Sequence, residues 1–494
     1  MYKSILQFIE KDTKEIEELI KLMLSGEKDS ADLSNEIKER VLNLGNNLIA
    51  DIYETIDDEI KACVERKKHW TVNKCYQEKE ILDVMGTVRF KRTGYKDKKT
   101  GKYIYLLDQV LGLESHQRIS LGAAANILEE AIDTSYRKGG VSASSTEIAS
   151  KQAVKRLVHN TIIEMPLPKE KEKRKVKKLY IVADEDHVSA QFWQEKGDLP
   201  LDSRGYKVNT IMPKLICVYE NIINESGKQS KNPRYKLIGK HYFCGVYKGE
   251  QENIKFWEKV SDYIETVYDT DILEAVYISG DGAPWIKTGC EIINKSHFIL
   301  DKFHMMKYIN KSVTHLLDSA EDVKGEIWEA LNTGNKKELK LIYNKIISVT
   351  EKENKIKEVE KALGYFLNHW NGLKIRVNNP DDTFRCCAEG QVSHILSSRL
   401  SSRPMGWSVL GCHQMSMLRA YKANNRKVID LLRYQKSNQM LKEKREEQDA
   451  LIKELRKRKS NTEVYDGLRG EIPGLGGRQL YWMRDLINGA IGIA

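Results

Sequence analysis

Apolar positions fall at helical spacing at the start of the chain. Ile5, Leu6, Ile9, Ile16, Leu19, Ile20 and Met23 form one stripe. After Ser25-Gly26, Ile37, Val41, Leu42, Leu48, Ile49, Ile52 and Ile56 form another. The spacing predicts a helical hairpin over residues 1–66. The period shortens after residue 80. The stretch from Thr87 to Arg92 and that from Lys102 to Leu107 flank a turn-rich segment, which predicts a β-hairpin with Arg89, Lys91 and Arg92 on its exposed face. Helical spacing returns over 121–136, Gly139-Gly140 predicts a break, and Ser142 to Ser145 can cap a second helix over 146–159. Two helices around a turn, the second carrying Lys151, Gln152, Lys155 and Arg156, fit a helix-turn-helix reader of DNA. An ordinary pair of packed helices leaves the same pattern.

From residue 179 the pattern predicts strands over 179–184, 208–219, 235–247, 273–279 and 297–300, with helices over 250–268 and 284–293. The order β-β-β-α-β-α-β is that of a ribonuclease H-like core. Residues 305–385 then read as helix alone, and a helix near Cys386 carries Glu389. The expectation is a multidomain α+β chain. It comprises a helical hairpin at 1–66 and a β-hairpin with a helix-turn-helix-like region at 67–165. A basic linker at 166–178 leads to a ribonuclease H-like mixed α/β core at 179–304, interrupted by an all-helical insertion at 305–385. The core resumes at 386–418, and a basic helical tail runs over 419–494.

Charge adds a partner to this outline. The chain of 494 residues carries a formal +10. Residues 419–459 hold 14 Lys/Arg against 6 Asp/Glu, and residues 166–178 hold 7 against 2. Basic blocks at segment borders fit contact with a polyanion. The sequence has no apolar run of 18 residues, and its first residues lack the basic start and apolar centre of a signal peptide, so a cytoplasmic, nucleoid-associated protein is expected. None of the eight cysteines forms a CxxC pair, which sets aside zinc-ribbon and disulfide frameworks.

Three acids carry the candidate chemistry. Asp184 ends the run Leu179 to Ala183, Asp281 ends the run Leu273 to Gly280 in a Ser-Gly-Asp-Gly turn, and Glu389 lies on the later helix. Two strand-end aspartates and a helix-borne glutamate can converge on two Mg2+ ions roughly 3.5–4 Å apart, the arrangement of phosphodiester cleavage and strand transfer. Mn2+ can substitute. Asp186 competes with Asp184 as first ligand. Asp301 and His304, in the run DKFH, stand where they can brace the site or position a phosphate. Arg399, Arg403, the linker and the tail are expected to meet DNA backbone, and Lys151, Gln152, Lys155 and Arg156 to meet base edges. Trp285, Trp370 and Trp407 are candidates for stacking on unpaired bases, with core packing as the alternative.

The runs YIVADED, YISGDGAPWI, DKFH and CAEGQVSHILSSRLSSRPMGWS resemble those of the ISLre-two-type insertion-sequence transposases, bacterial DDE enzymes close to the Mutator-like group. The resemblance implies Asp184, Asp281 and Glu389 as the catalytic and metal-binding triad, and DKFH as the (C/D)xxH motif that follows the second aspartate. Relatives place Gly after the first aspartate, whereas Glu185 stands here. The implied enzyme binds terminal inverted repeats of double-stranded DNA and acts as a homodimer or larger synaptic assembly. It cleaves with two divalent metal ions and joins 3′-hydroxyl ends to target DNA. A catalytically silent DNA-binding derivative and a nuclease without strand transfer are the alternatives.

Overall fold

The computed structural model describes residues 2–164, 172–192, 199, 201, 205, 208–226, 234–380, 388–403 and 405–438. The fold is a mixed α+β arrangement in two compact units, one formed by residues 1–164 with 427–494 and the other by 165–426.

Near the start of the first unit lie α1 (Thr13–Leu24), preceded by a helical turn at Lys3–Gln7, and α2 (Ser30–Ala62). Asp29 starts α2 through a capping box: its carboxylate accepts from the Ala31 and Asp32 amides, and Asp32 accepts from the Asp29 amide. A three-stranded antiparallel sheet follows, β1 (Trp70–Leu82), β2 (Thr87–Asp97) and β3 (Tyr103–Tyr105). Its first strand reaches back to Trp70, into a polar stretch whose alternation is too weak to signal a strand. Leu106 and Leu107, expected in the hairpin, instead open α3 (Leu106–Leu111). Arg92 does not face solvent. It is buried, ion-paired to Asp108, with its guanidinium 3.6 Å from the Tyr105 ring centre.

Three helices complete the described part of this unit's midsection: α4 (Leu121–Asp133), α5 (Tyr136–Val141) and α6 (Lys151–Asn160). Gly139-Gly140 does not break a helix but lies within α5. Both glycines are buried, and a Cβ on Gly140 would stand 2.2 Å from the Ala149 carbonyl oxygen. They are there for close approach. Ser150, whose hydroxyl accepts from the Ala153 amide, opens α6 five residues later than the capping serines suggested.

The second unit is built on a five-stranded sheet. Its strands are β4 (Lys178–Glu185), β5 (Lys214–Tyr219), β6 (His241–Gly245), β7 (Ala275–Gly280) and β8 (Ser296–Leu300). Their spatial order is β6-β5-β4-β7-β8. β4, β7 and β8 run parallel, and β5 is antiparallel to both neighbours. Side chains alternate between the two faces. Leu179, Ile181, Ala183, Val276 and Ile278 enter a core with Phe256, Trp257 and Val260 of α7 (Gly249–Val267) and Trp285 and Ile286 of α8 (Pro284–Ile292). Tyr180, Tyr219 and Tyr277 stack along the other face.

After β8 the chain turns helical. The helices are α9 (Lys302–Val313), α10 (Ala320–Asn332), α11 (Lys336–Val349), α12 (Glu353–Asn368) and α13 (Trp370–Asn378), and they share a core of their own. α14 (Ala388–Val392) packs on β4, and α15 (Val409–Ala423) packs on β6. Cys386 and Cys387, the linker up to residue 171, and the tail from residue 439, including the Gly-rich stretch at 467–477, lie outside the described residues.

Candidate active site

Strand register aligns three aspartates. Ser279 of β7 pairs with Val182 of β4, so two residues further on Asp281 falls beside Asp184. Gly280 pairs with Leu300 of β8, so Asp281 also falls beside Asp301. The row crosses the C-terminal ends of three parallel strands, where open α/β sheets bind ligands. Gly280 permits the close spacing: a Cβ there would come 2.8 Å from the Ala183 carbonyl oxygen.

Each carboxylate is held by local backbone. Asp184 is 7% exposed and accepts from the Glu185 amide at 2.9 Å. Asp281 accepts from the Ala283 amide at 2.8 Å, in the turn that leads into α8. Asp301 is 1% exposed and caps α9 by accepting from the Phe303 amide at 3.1 Å. One turn along, His304 Nε2 lies 3.6 Å from Asp184 Oδ2 and 3.9 Å from Asp301 Oδ2. Burial works against the imidazolium. The contact with Asp184 and the charges of Asp184, Asp301 and Asp281 outweigh it and raise the His304 pKa. Burial pushes the Glu185 carboxyl up. Lys214 opposes this, while Asp281 and Asp184 add to it. Lys214 is itself buried, donates to the Tyr247 carbonyl at 3.0 Å and to Asn253 Oδ1 at 2.5 Å, and lies over the Trp285 ring.

The helical segment after β8 adds groups that sequence reasoning missed. Gly282 has φ +92°, and a Cβ there would stand 2.5 Å from His369 Nε2, so the His369 ring covers the residue next to Asp281. His369 meets Tyr365 edge-on at 5.0 Å between ring centres, and Tyr365 stacks on Tyr308 at 4.0 Å. Tyr308 lies one turn after His304 on α9, and Tyr365 one turn before His369. Burial and then the charge of Asp281 raise the pKa of both tyrosines. Burial lowers that of His369, helped by Lys287 and opposed by Asp281. The i, i+4 pairs His304/Tyr308 and Tyr365/His369 were visible as spacing, but helical stripes of this kind are common, and nothing local ties them to the acids.

Other expected residues fall as follows. Glu389 is exposed in the first turn of α14 and is not joined to the aspartate row. Among the described residues no three His, Cys, Asp or Glu side chains are grouped as metal ligands. Asp186 lies beyond the end of β4 and turns elsewhere, its carboxylate accepting from Ser401 Oγ at 2.8 Å and from the His187 amide at 2.9 Å. Arg399 is not a surface contact. It is 5% exposed, with its guanidinium 4.9 Å from the Trp407 ring centre. Arg403 is exposed. Trp285, Trp370 and Trp407 are buried, so they serve packing rather than base stacking. In the first unit Lys151, Gln152 and Arg156 are exposed on α6, Lys155 is half-buried, and Val154 and Val158 face inward. Arg419, first of the expected basic tail, is half-buried and donates to the His394 and Ile395 carbonyls within the second unit.

Fold and site thus define a mixed α+β protein with an aspartate row at the mouth of its parallel strands. The chain belongs to the Uncharacterised protein family (UPF0236), whose model matches residues 29–432. It is similar to UPF0236 proteins of Caldanaerobacter subterraneus subsp. tengcongensis. UPF0236 protein TTE2489 is 35% identical over 413 residues, covering 83% of this chain and 82% of the relative. Another, whose name joins eleven locus designations, is 35% identical over 421 residues, covering 85% and 83%. Among solved structures, the Drosophila P element transposase strand transfer complex matches 64% of this chain and 80% of its own at 13% identity. Its TM-score is 0.18, too low to bear on fold or function.

Proposed function

We propose that the protein is a DDE-type transposase, cleaving DNA phosphodiester bonds with divalent metal ions and joining the freed 3′-hydroxyl to target DNA. The observation that carries this is the pairing of Asp184 and Asp281 at adjacent parallel strand ends, with Asp301 and His304 beside them. Mg2+ takes one or two carboxylates and keeps several waters, so this donor pair suits it. Asp184 and Asp281 would hold the metal, and the metal would activate the attacking oxygen and steady the leaving one. His304, whose pKa its acidic neighbours raise, would offer a nitrogen to a phosphate oxygen. Glu389 would complete the set by approach of α14, which already packs on the Asp184 strand.

The strand order β6-β5-β4-β7-β8, with only β5 reversed, supports a ribonuclease H-like core. The family's relatives support mobility in a genome. One is named for eleven loci of a single strain, another for four, as copies of a spreading element would be. Exposed Lys151, Gln152 and Arg156 support DNA reading by α6.

The test is to supply the purified chain, with Mg2+ or Mn2+, with a plasmid carrying the element's ends and a second target plasmid. The proposal expects metal-dependent cuts at the ends and joined products. Cuts without joining would indicate a nuclease, and binding without cuts a silent DNA-binding derivative.

A further inference from the structure

We propose that Tyr365 and His369 form a substrate-contacting wall opposite the aspartate row, donating hydrogen bonds to phosphate oxygens of the DNA strand being cut. This rests on the metal-dependent DNA-cleaving function proposed above. The segment that supplies them is the helical one, whose remaining helices bury their own core.

Three observations meet here. The first is place. His369 covers Gly282, the residue after Asp281, and Tyr365 continues the same helical face one turn earlier. The second is unfilled bonding capacity. The Tyr365 hydroxyl and His369 Nδ1 are buried without a hydrogen-bond partner, as is the Ser279 hydroxyl two residues before Asp281. Buried polar atoms are paired in the great majority of cases. Three unpaired ones near a single row of carboxylates mark a place prepared for a polar guest. The third is sign. Three aspartates repel an anion unless cations and donors offset them, and a phosphodiester is an anion with two acceptor oxygens. A tyrosine hydroxyl and an imidazole N–H supply donors without displacing the metal from the carboxylates. Stacking on Tyr308 and the edge contact with Phe298 fix both rings in place before substrate arrives.

The test compares the full chain with its Tyr365→Phe and His369→Gln variants in three measurements. These are kcat and KM for Mn2+-supported cleavage of end-bearing duplex, Mn2+ binding by calorimetry without DNA, and the thermal midpoint. Loss of a donor to a charged oxygen predicts a fall in kcat of about tenfold to hundredfold in each variant. Mn2+ affinity stays within about twofold. Removing an unpartnered buried hydroxyl leaves the midpoint of Tyr365→Phe unchanged or raised. Unchanged kcat in both variants, while the unaltered chain cleaves, overturns the inference alone. A lowered midpoint with unchanged kcat shows a purely structural pair and overturns it too. Absence of metal-dependent cleavage by the unaltered chain removes the parent function, and this inference with it.

Discussion

At the scale of single residues, the two candidates for first ligand are separated by their hydrogen bonds. Asp186 is occupied by Ser401 and the His187 amide, whereas Asp184 faces His304 and lies in register with Asp281. Asp184→Asn is expected to abolish cleavage, and Asp186→Asn to retain it within about threefold, checked on end-bearing duplex with Mn2+. A second residue-scale effect concerns His241, away from the acids. Burial, with the charges of Arg426 and Arg174, depresses its pKa from 6.5 to about 3. The unfolded chain therefore binds a proton between these values and the folded one does not. Stability from this residue is complete above the unfolded pKa and falls as pH drops below it. At pH 5 the loss is about 2 kcal/mol. Urea unfolding at pH 7.5 and pH 5 should show it, and His241→Gln should remove that share of the difference.

At the scale of elements, glycine is the sharpest test. A Cβ on Gly140 would meet the Ala149 carbonyl oxygen, which is backbone and cannot rotate away. Gly140→Ala should destabilise the first unit by about 1–3 kcal/mol, read from a denaturant midpoint. Had Gly139-Gly140 been a simple break, the substitution would be neutral. This pair also shows where sequence legibility ends. The strands that end in Asp184 and Asp281 were legible because buried parallel strands are unbroken apolar runs. Asp301 was legible as a strand-end residue, but its place in a row of three needed the β7–β8 register. The placing of Tyr365 and His369 beside Asp281 was not legible, because it depends on a helix returning to Gly282 from a segment that reads as surface helix. Arg92 and Arg399 looked like surface cations because composition does not reveal a buried carboxylate or indole partner.

At the scale of the whole molecule, the helix proposed to read DNA, α6, lies in one unit and the aspartate row proposed to cut it lies in the other. No helix among the described residues is long and apolar enough to cross a membrane. Replacing Lys151, Gln152 and Arg156 with Ala should weaken binding to terminal-repeat DNA by more than about tenfold and reduce the salt slope by about 2, measured by fluorescence anisotropy across a salt series. Metal binding should be untouched by that triple change. Asp184 and Asp281 are proposed to bind together the metal that supports DNA cleavage. The most direct measurement is Mn2+-dependent cleavage of end-bearing duplex by Asp281→Asn beside the unaltered chain, with DNA binding measured in parallel. At least a roughly hundredfold loss of cleavage, with DNA binding retained, is expected. Cleavage at the unaltered rate by Asp281→Asn would contradict it.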